Sequence, residues 1–197
     1  CFPTVVSATE DIAAPPSIDD ANAVYFYHVE SDSVVVEKNA QLVVSAGSTV
    51  KVMSGLIFCE SLADRTADAV YITEEMTLGL NGYFRLKLTA GDTLTVEQLL
   101  YAALCGGYND AYQGLAVYIS GSLDAFVKRM NMRAQELGMQ NTAYTDVHGI
   151  DDASLTTAND LAKLASAASQ NGHFMRITST ARYALQETQY LRAQTVH

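Results

Sequence analysis

Ser48-Thr49-Val50-Lys51-Val52-Met53-Ser54-Gly55-Leu56-Ile57-Phe58-Cys59 decides how this chain is read. The apolar run after Ser48 predicts a helix over 48–62, and residues i and i+3 of a helix lie on one face, so the Lys51 amine can reach the Ser48 hydroxyl. A serine hydroxyl is a weak nucleophile until a neighbouring base takes its proton. A lysine serves as that base only when desolvation or a second cation lowers its pKa. Val50, Val52, Met53, Leu56 and Ile57 offer such surroundings, and Lys51 is the only charge between Lys38 and Glu60. The start of the helix also presents N–H groups and a positive dipole end to a developing oxyanion. Ser48 and Lys51 are therefore the candidate nucleophile and base of an acyl transfer; the plain alternative is a surface serine and a solvated lysine.

The chain has 197 residues, 49% hydrophobic and 17% charged, which suits one domain with a sizeable core. Its net charge of −10, without a basic run, argues against nucleic acid as a partner. No stretch approaches the roughly 18 to 20 apolar residues of a membrane span, and the first twenty residues lack a secretory signal pattern. Cys1, Cys59 and Cys105 are too few for a disulfide framework or a zinc site, and His28, His148, His173 and His197 lack metal-ligand spacing. Neither a metal nor a cofactor is expected. Cys59 and Cys105 read as small core residues; Cys1 reads equally as a lipid-bearing first residue or as an arbitrary chain start.

Residues 1–16 read as a tail and 17–197 as one domain. Ala21–Val29 and Ser33–Glu37 read as a hairpin. A short strand follows the motif helix at Val70–Ile72, then a loop over 73–92. Thr95-x-x-Gln98 is a capping box that opens a helix ended by Gly106-Gly107. Further helices are expected over 110–119, from Ser122 to Gly138, and from Thr157 to before Gly172, with a strand within 182–191. Strands at both ends of a helical middle predict an α/β (α+β) domain in which the N-terminal hairpin and the C-terminal strand share one antiparallel sheet.

The flanks carry a resemblance. Ala14-Pro15-Pro16-Ser17-Ile18-Asp19, Val36-Glu37-Lys38-Asn39-Ala40, Leu94-Thr95-Val96-Glu97-Gln98-Leu99-Leu100-Tyr101, Leu137-Gly138-Met139-Gln140-Asn141-Thr142, His148-Gly149-Ile150-Asp151-Asp152 and Thr157-Ala158-Asn159-Asp160-Leu161-Ala162 occur in order around Ser48-x-x-Lys51. The chain resembles, from Ala14 to His197, the serine D-Ala-D-Ala carboxypeptidases, the low-molecular-mass penicillin-binding proteins with a β-lactamase/transpeptidase-like fold. The resemblance implies removal of the terminal D-Ala from peptidoglycan stem peptides outside the cytoplasm, through a Ser48 acyl-enzyme with Lys51 as base, and acylation of the same serine by β-lactams. A class A-like β-lactamase fits less well, because the flanks match the carboxypeptidases.

Two departures qualify it. The family's second motif, Ser-x-Asn, stands here as Gly107-Tyr108-Asn109. Asn109 would hold the substrate amide and the Lys51 amine, whereas the serine hydroxyl that passes a proton to the leaving amine is missing. Tyr108 is either a substitute hydroxyl that contacts substrate or a ring covering a glycine turn. The third motif, Lys-Thr-Gly, is absent, and in the family its strand lies beyond the equivalent of His197. A second polypeptide or a longer chain is therefore expected to complete the cleft, and a catalytically impaired homologue that binds cell-wall peptide or a protein partner is the alternative to an enzyme. His148 is expected to make a structural hydrogen bond in its loop, and Asp151 and Asp152 to serve the turn.

Overall fold

A computed structural model describes residues 18–29, 31, 33–80 and 82–197. The tail 1–16, with Cys1 and Ala14-Pro15-Pro16, lies outside the described residues. The expected hairpin is formed by β1 (Val24–His28) and β2 (Ser33–Lys38), antiparallel with a bulge between Phe26 and Tyr27. The turn after β2 places Ala40 where its carbonyl accepts from the N–H of Asn159 at 3.0 Å.

Next come β3 (Val44–Ser45), a single 3-10 turn over Gly47–Thr49, and α1 (Val50–Leu62). The expectation of a regular helix from Ser48 is corrected by one turn: Ser48 lies in the tighter 3-10 winding and α-helical bonding begins after it. Val50, Met53, Ser54, Gly55, Leu56, Ile57, Phe58, Cys59 and Leu62 are all buried. A helix apolar all round belongs inside a domain. Accordingly, α1 packs against α2 (Val96–Leu104), α3 (Asn109–Ser120), α4 (Leu123–Glu136), α5 (Ala158–Gln170) and α6 (Gly172–Thr178). Phe58 forms the aromatic centre of this packing, with ring centroids 5.2 Å from Phe126 and 5.7 Å from Tyr112.

The caps account for where the outer helices start. Thr95 accepts from the Gln98 N–H and the Gln98 side chain accepts from the Thr95 N–H, completing the expected box. Ser122 caps α4 and Thr157 caps α5. α5 ends before Gly172, as expected, and Asn171 then accepts from the Phe174 N–H to start α6 directly after it.

Four two-stranded sheets form among the described residues: β1 with β2, β3 with β6 (Leu155–Thr156), β4 (Ala69–Tyr71) with β5 (Thr93–Thr95), and β7 (Tyr183–Leu185) with β8 (Gln194–Val196). The expected sharing of one sheet by the hairpin and the C-terminal strand is thus corrected. β7 turns back onto β8 and lies against α2, where Tyr183 stacks on Tyr101 at 3.9 Å, and this packing takes it away from the hairpin.

The stretch read as loop over 73–92 holds a 3-10 turn at Glu75–Thr77 and is fastened to α3. The buried Asp110 carboxylate accepts from the N–H groups of Leu86 and Leu88, both at 2.9 Å, and the Asn109 N–H donates to the Phe84 carbonyl at 3.0 Å. Removing the carboxylate leaves two N–H donors without a partner, at about 1–3 kcal/mol each. Asp110→Ala is therefore expected to cost about 2–5 kcal/mol in urea unfolding and to speed amide exchange at Leu86 and Leu88 before the rest of the core.

Candidate active site

Ser48 reaches its position because the backbone is held on both sides. Before it, β3 pairs with β6 through Val44 opposite Thr156 and Ser45 opposite Leu155, and the Ala46 N–H donates to the Ser154 carbonyl at 2.7 Å. The Thr49 hydroxyl donates back to the Ala46 carbonyl at 2.5 Å and tightens the 3-10 turn. Facing the turn is the loop 146–151. Gly149 has φ +77° and lies so close to Gly47 that a Cβ there would overlap the Gly47 carbonyl and stand 3.0 Å from the Ser48 nitrogen. Further along α1, the Ser54 hydroxyl donates to the Val147 carbonyl at 2.7 Å.

That loop is organised by one carboxylate. Asp146 accepts from the N–H groups of Gly149 (2.9 Å), Ile150 (2.7 Å) and Asp151 (3.0 Å), and its Oδ2 pairs with His148 Nδ1 at 3.0 Å. Burial alone would push its pKa up. The His148 bond and the backbone donors outweigh burial and hold it down at about 2. His148 thus makes the structural hydrogen bond expected of it, and Asp151 serves the turn by accepting from the Ala153 N–H. Asp146 itself has no motif around it and was not a sequence candidate.

Ser48 is exposed, while Lys51 is half-buried with its Nζ 5.8 Å above the ring of the buried Tyr112. Burial lowers the Lys51 pKa, and the nearby Asp146 charge acts in the opposite direction. The net effect favours a free amine, the form a general base requires. Tyr112 lies three residues beyond Asn109 on α3, so Asn109 shares the face of α3 on which Lys51 leans. Asn109 is 4% exposed, and its Oδ1 is buried without a hydrogen-bond partner among the described residues. A buried acceptor left unpaired is a group for which a donor is missing.

At the second-motif position, Gly107 has φ +69° with open space where a Cβ would stand. The Tyr108 ring covers Gly106 closely and stacks on Phe84 at 4.6 Å. This contact supports the covering role for Tyr108. Among the described residues, burial raises the thiols of both Cys59 and Cys105, Cys59 to about 12. Among the described residues no His, Cys, Asp and Glu group is placed to hold a metal, and no helix is long and apolar enough to cross a membrane. A hollow of about 500 Å³ between β1 and α5 lies away from this chemistry, lined by Tyr25, Tyr27, Asn159 and Lys163.

The close approach of Gly149 to Gly47 has a measurable consequence. Gly149→Ala combines a strained left-handed φ with backbone overlap, whereas Gly107→Ala carries the φ strain alone. Urea unfolding is expected to show a loss of about 3 kcal/mol or more for Gly149→Ala and about 1–2 kcal/mol for Gly107→Ala. Equal losses would contradict the contact.

Residues 9–196 match the family model described as D-alanyl-D-alanine carboxypeptidase. The carboxypeptidase DacC of Escherichia coli is 31% identical over 176 residues, 84% of this chain and 43% of DacC, so the chain spans less than half the length of that relative. A mutant of the Streptomyces K15 DD-transpeptidase superposes with a TM-score of 0.81 at 28% identity, over 92% of this chain and 74% of that one. Penicillin binding protein 5 from Haemophilus influenzae, 23% identical over 90% of this chain and 53% of its own, shares the fold at a TM-score of 0.81. With the family model matched along almost the whole chain and a transpeptidase-like helical core around α1, the chain belongs to the D-alanyl-D-alanine carboxypeptidase family.

Proposed function

We propose that this chain carries the acylation centre of a serine-type D-Ala-D-Ala carboxypeptidase acting on peptidoglycan stem peptides outside the cytoplasm. The observation that carries the reading is Lys51, desolvated on α1 one turn after an exposed Ser48, in a chain of this family. The Ser48 Oγ attacks the carbonyl between the two D-alanines as Lys51 Nζ takes its proton. The oxyanion receives the Ser48 N–H, a donor of a kind worth roughly 3–4 kcal/mol in acyl transfer. The C–N bond then breaks, the leaving D-Ala amine takes a proton, and water releases the shortened peptide. Asn109 Oδ1 is the acceptor for the substrate amide or the Lys51 amine, which would supply the donor it lacks. β-Lactams would acylate Ser48 by the same route.

This reading requires a further wall bearing Lys-Thr-Gly, which residues 1–197 do not contain, supplied by the same or a second polypeptide. One observation favours the impaired-homologue reading: Gly107 offers no hydroxyl, and the Tyr108 ring is engaged with Gly106 and Phe84. Both readings are decided by D-alanine release from a stem-peptide mimic. Release abolished by Ser48→Ala supports the carboxypeptidase. Gly107→Ser restores a hydroxyl into open space at a cost of about 1–2 kcal/mol in backbone strain and is expected to raise release by about 10-fold or more. With the Lys-Thr-Gly wall supplied, no release from wild type or Gly107→Ser would refute turnover and leave peptide binding.

A further inference from the structure

We propose that Asp146 is a positioning residue for the acylation centre, folding residues 146–151 into a clamp that fixes the Ser48 backbone at one end and faces Lys51 at its middle. The inference rests on reading Ser48 and Lys51 as nucleophile and base. Ser48, Lys51 and Ser54 are spaced by three residues and form one stripe along the start of α1. The clamp touches that stripe at both ends. Gly149 lies on Gly47 and the Ser48 nitrogen, and the Val147 carbonyl accepts the Ser54 hydroxyl at 2.7 Å. Lys51 stands between these two contacts in the stripe, near enough to Asp146 for the carboxylate's charge to act on its amine.

Asp146 is what gives the loop its shape. Three consecutive N–H groups, of Gly149, Ile150 and Asp151, converge on its carboxylate, and His148 Nδ1 and the Ser154 hydroxyl (3.4 Å) join them. Ser154 also passes its carbonyl to Ala46 before the nucleophile, so this network adjoins both flanks of Ser48. The charged and titratable groups around the carboxylate are Lys51 on α1, His148 and Asp151 on its own loop, and Asp124 of α4, with which Asp146 lines a hollow of about 300 Å³. Lys51 is the only fixed cation of this set, and the Asp146 charge favours its ammonium form while burial favours the amine. The same residue thereby holds the nucleophile's backbone and sets how acidic a medium the base tolerates.

The sign follows directly. Removing the negative charge lowers the Lys51 pKa further, so free amine persists to lower pH. In Asp146→Asn, which keeps the size of the side chain, the Lys51 titration midpoint is expected to fall by about one pH unit. It is read from ¹³Cε-lysine spectra, with Lys51 assigned by its loss in Lys51→Arg. The acid limb of the benzylpenicillin acylation rate is expected to move the same way, while Asp124→Asn leaves both in place. Asp146→Ser, which keeps one acceptor without the charge, gives a second reading if the Asn variant fails to fold. A midpoint unchanged in a folded Asp146 variant overturns the proposal, because a merely structural loop residue would lower the rate without moving the limb. If the midpoint falls but wild type is never acylated, the clamp facing Lys51 stands and the acylation reading fails.

Discussion

The start of α1 is held against residues 146–156, and everything the site can do depends on that junction. The Ala46 N–H on Ser154, the β3–β6 pairing and the packing of Gly149 on Gly47 leave the 3-10 turn of Gly47–Thr49 little freedom. A nucleophile must sit at near-attack distance from a carbonyl, with its N–H aimed at the oxyanion, and loss of about 1 Å of placement can cost about 10²-fold in rate. Here the accuracy comes from backbone bonds made by a distant part of the chain. Ser48 itself remains exposed, as the proposed acylation requires.

Burial of α1 supplies the second requirement. A helix surrounded by five others desolvates Lys51, whose Nζ lies over the buried Tyr112 ring. The opposing charge of Asp146 tempers that effect. Ser48 and Lys51 thus share a helix turn while differing in environment: one faces outward, the other leans on the core. The departure at Gly107 lies on α3's approach, outside the contacts that hold the α1 junction.

Helices and their caps were legible in the sequence because each carries its own signal, an apolar period of 3.6 behind Thr95, Ser122 or Thr157. The pairing of β3 with β6 was not, because two-residue strands have no period and their partners are remote in the chain. The shared sheet was wrongly expected for the same reason: β7 gives no local sign that it will fold onto β8 and α2. Asp146 was missed because its role comes from converging N–H groups. The matching flanks prove to be joints of the fold. Asn141 and Thr142 of one segment bond the Asp160 carboxylate of another, at 2.8 and 3.0 Å, and Lys163 links Asp160 to the Gly138 carbonyl. They carry the resemblance because they maintain the frame of the fold.

The central claim is that Ser48 is an acylating nucleophile, and mass spectrometry of the protein, with its Lys-Thr-Gly wall supplied, after incubation with benzylpenicillin tests it most directly. The account predicts a mass gain equal to one whole penicillin molecule, since ring opening releases nothing, located on Ser48 within tryptic peptide 39–51 and absent from Ser48→Ala. An unmodified protein, or an adduct on any other residue, would contradict it.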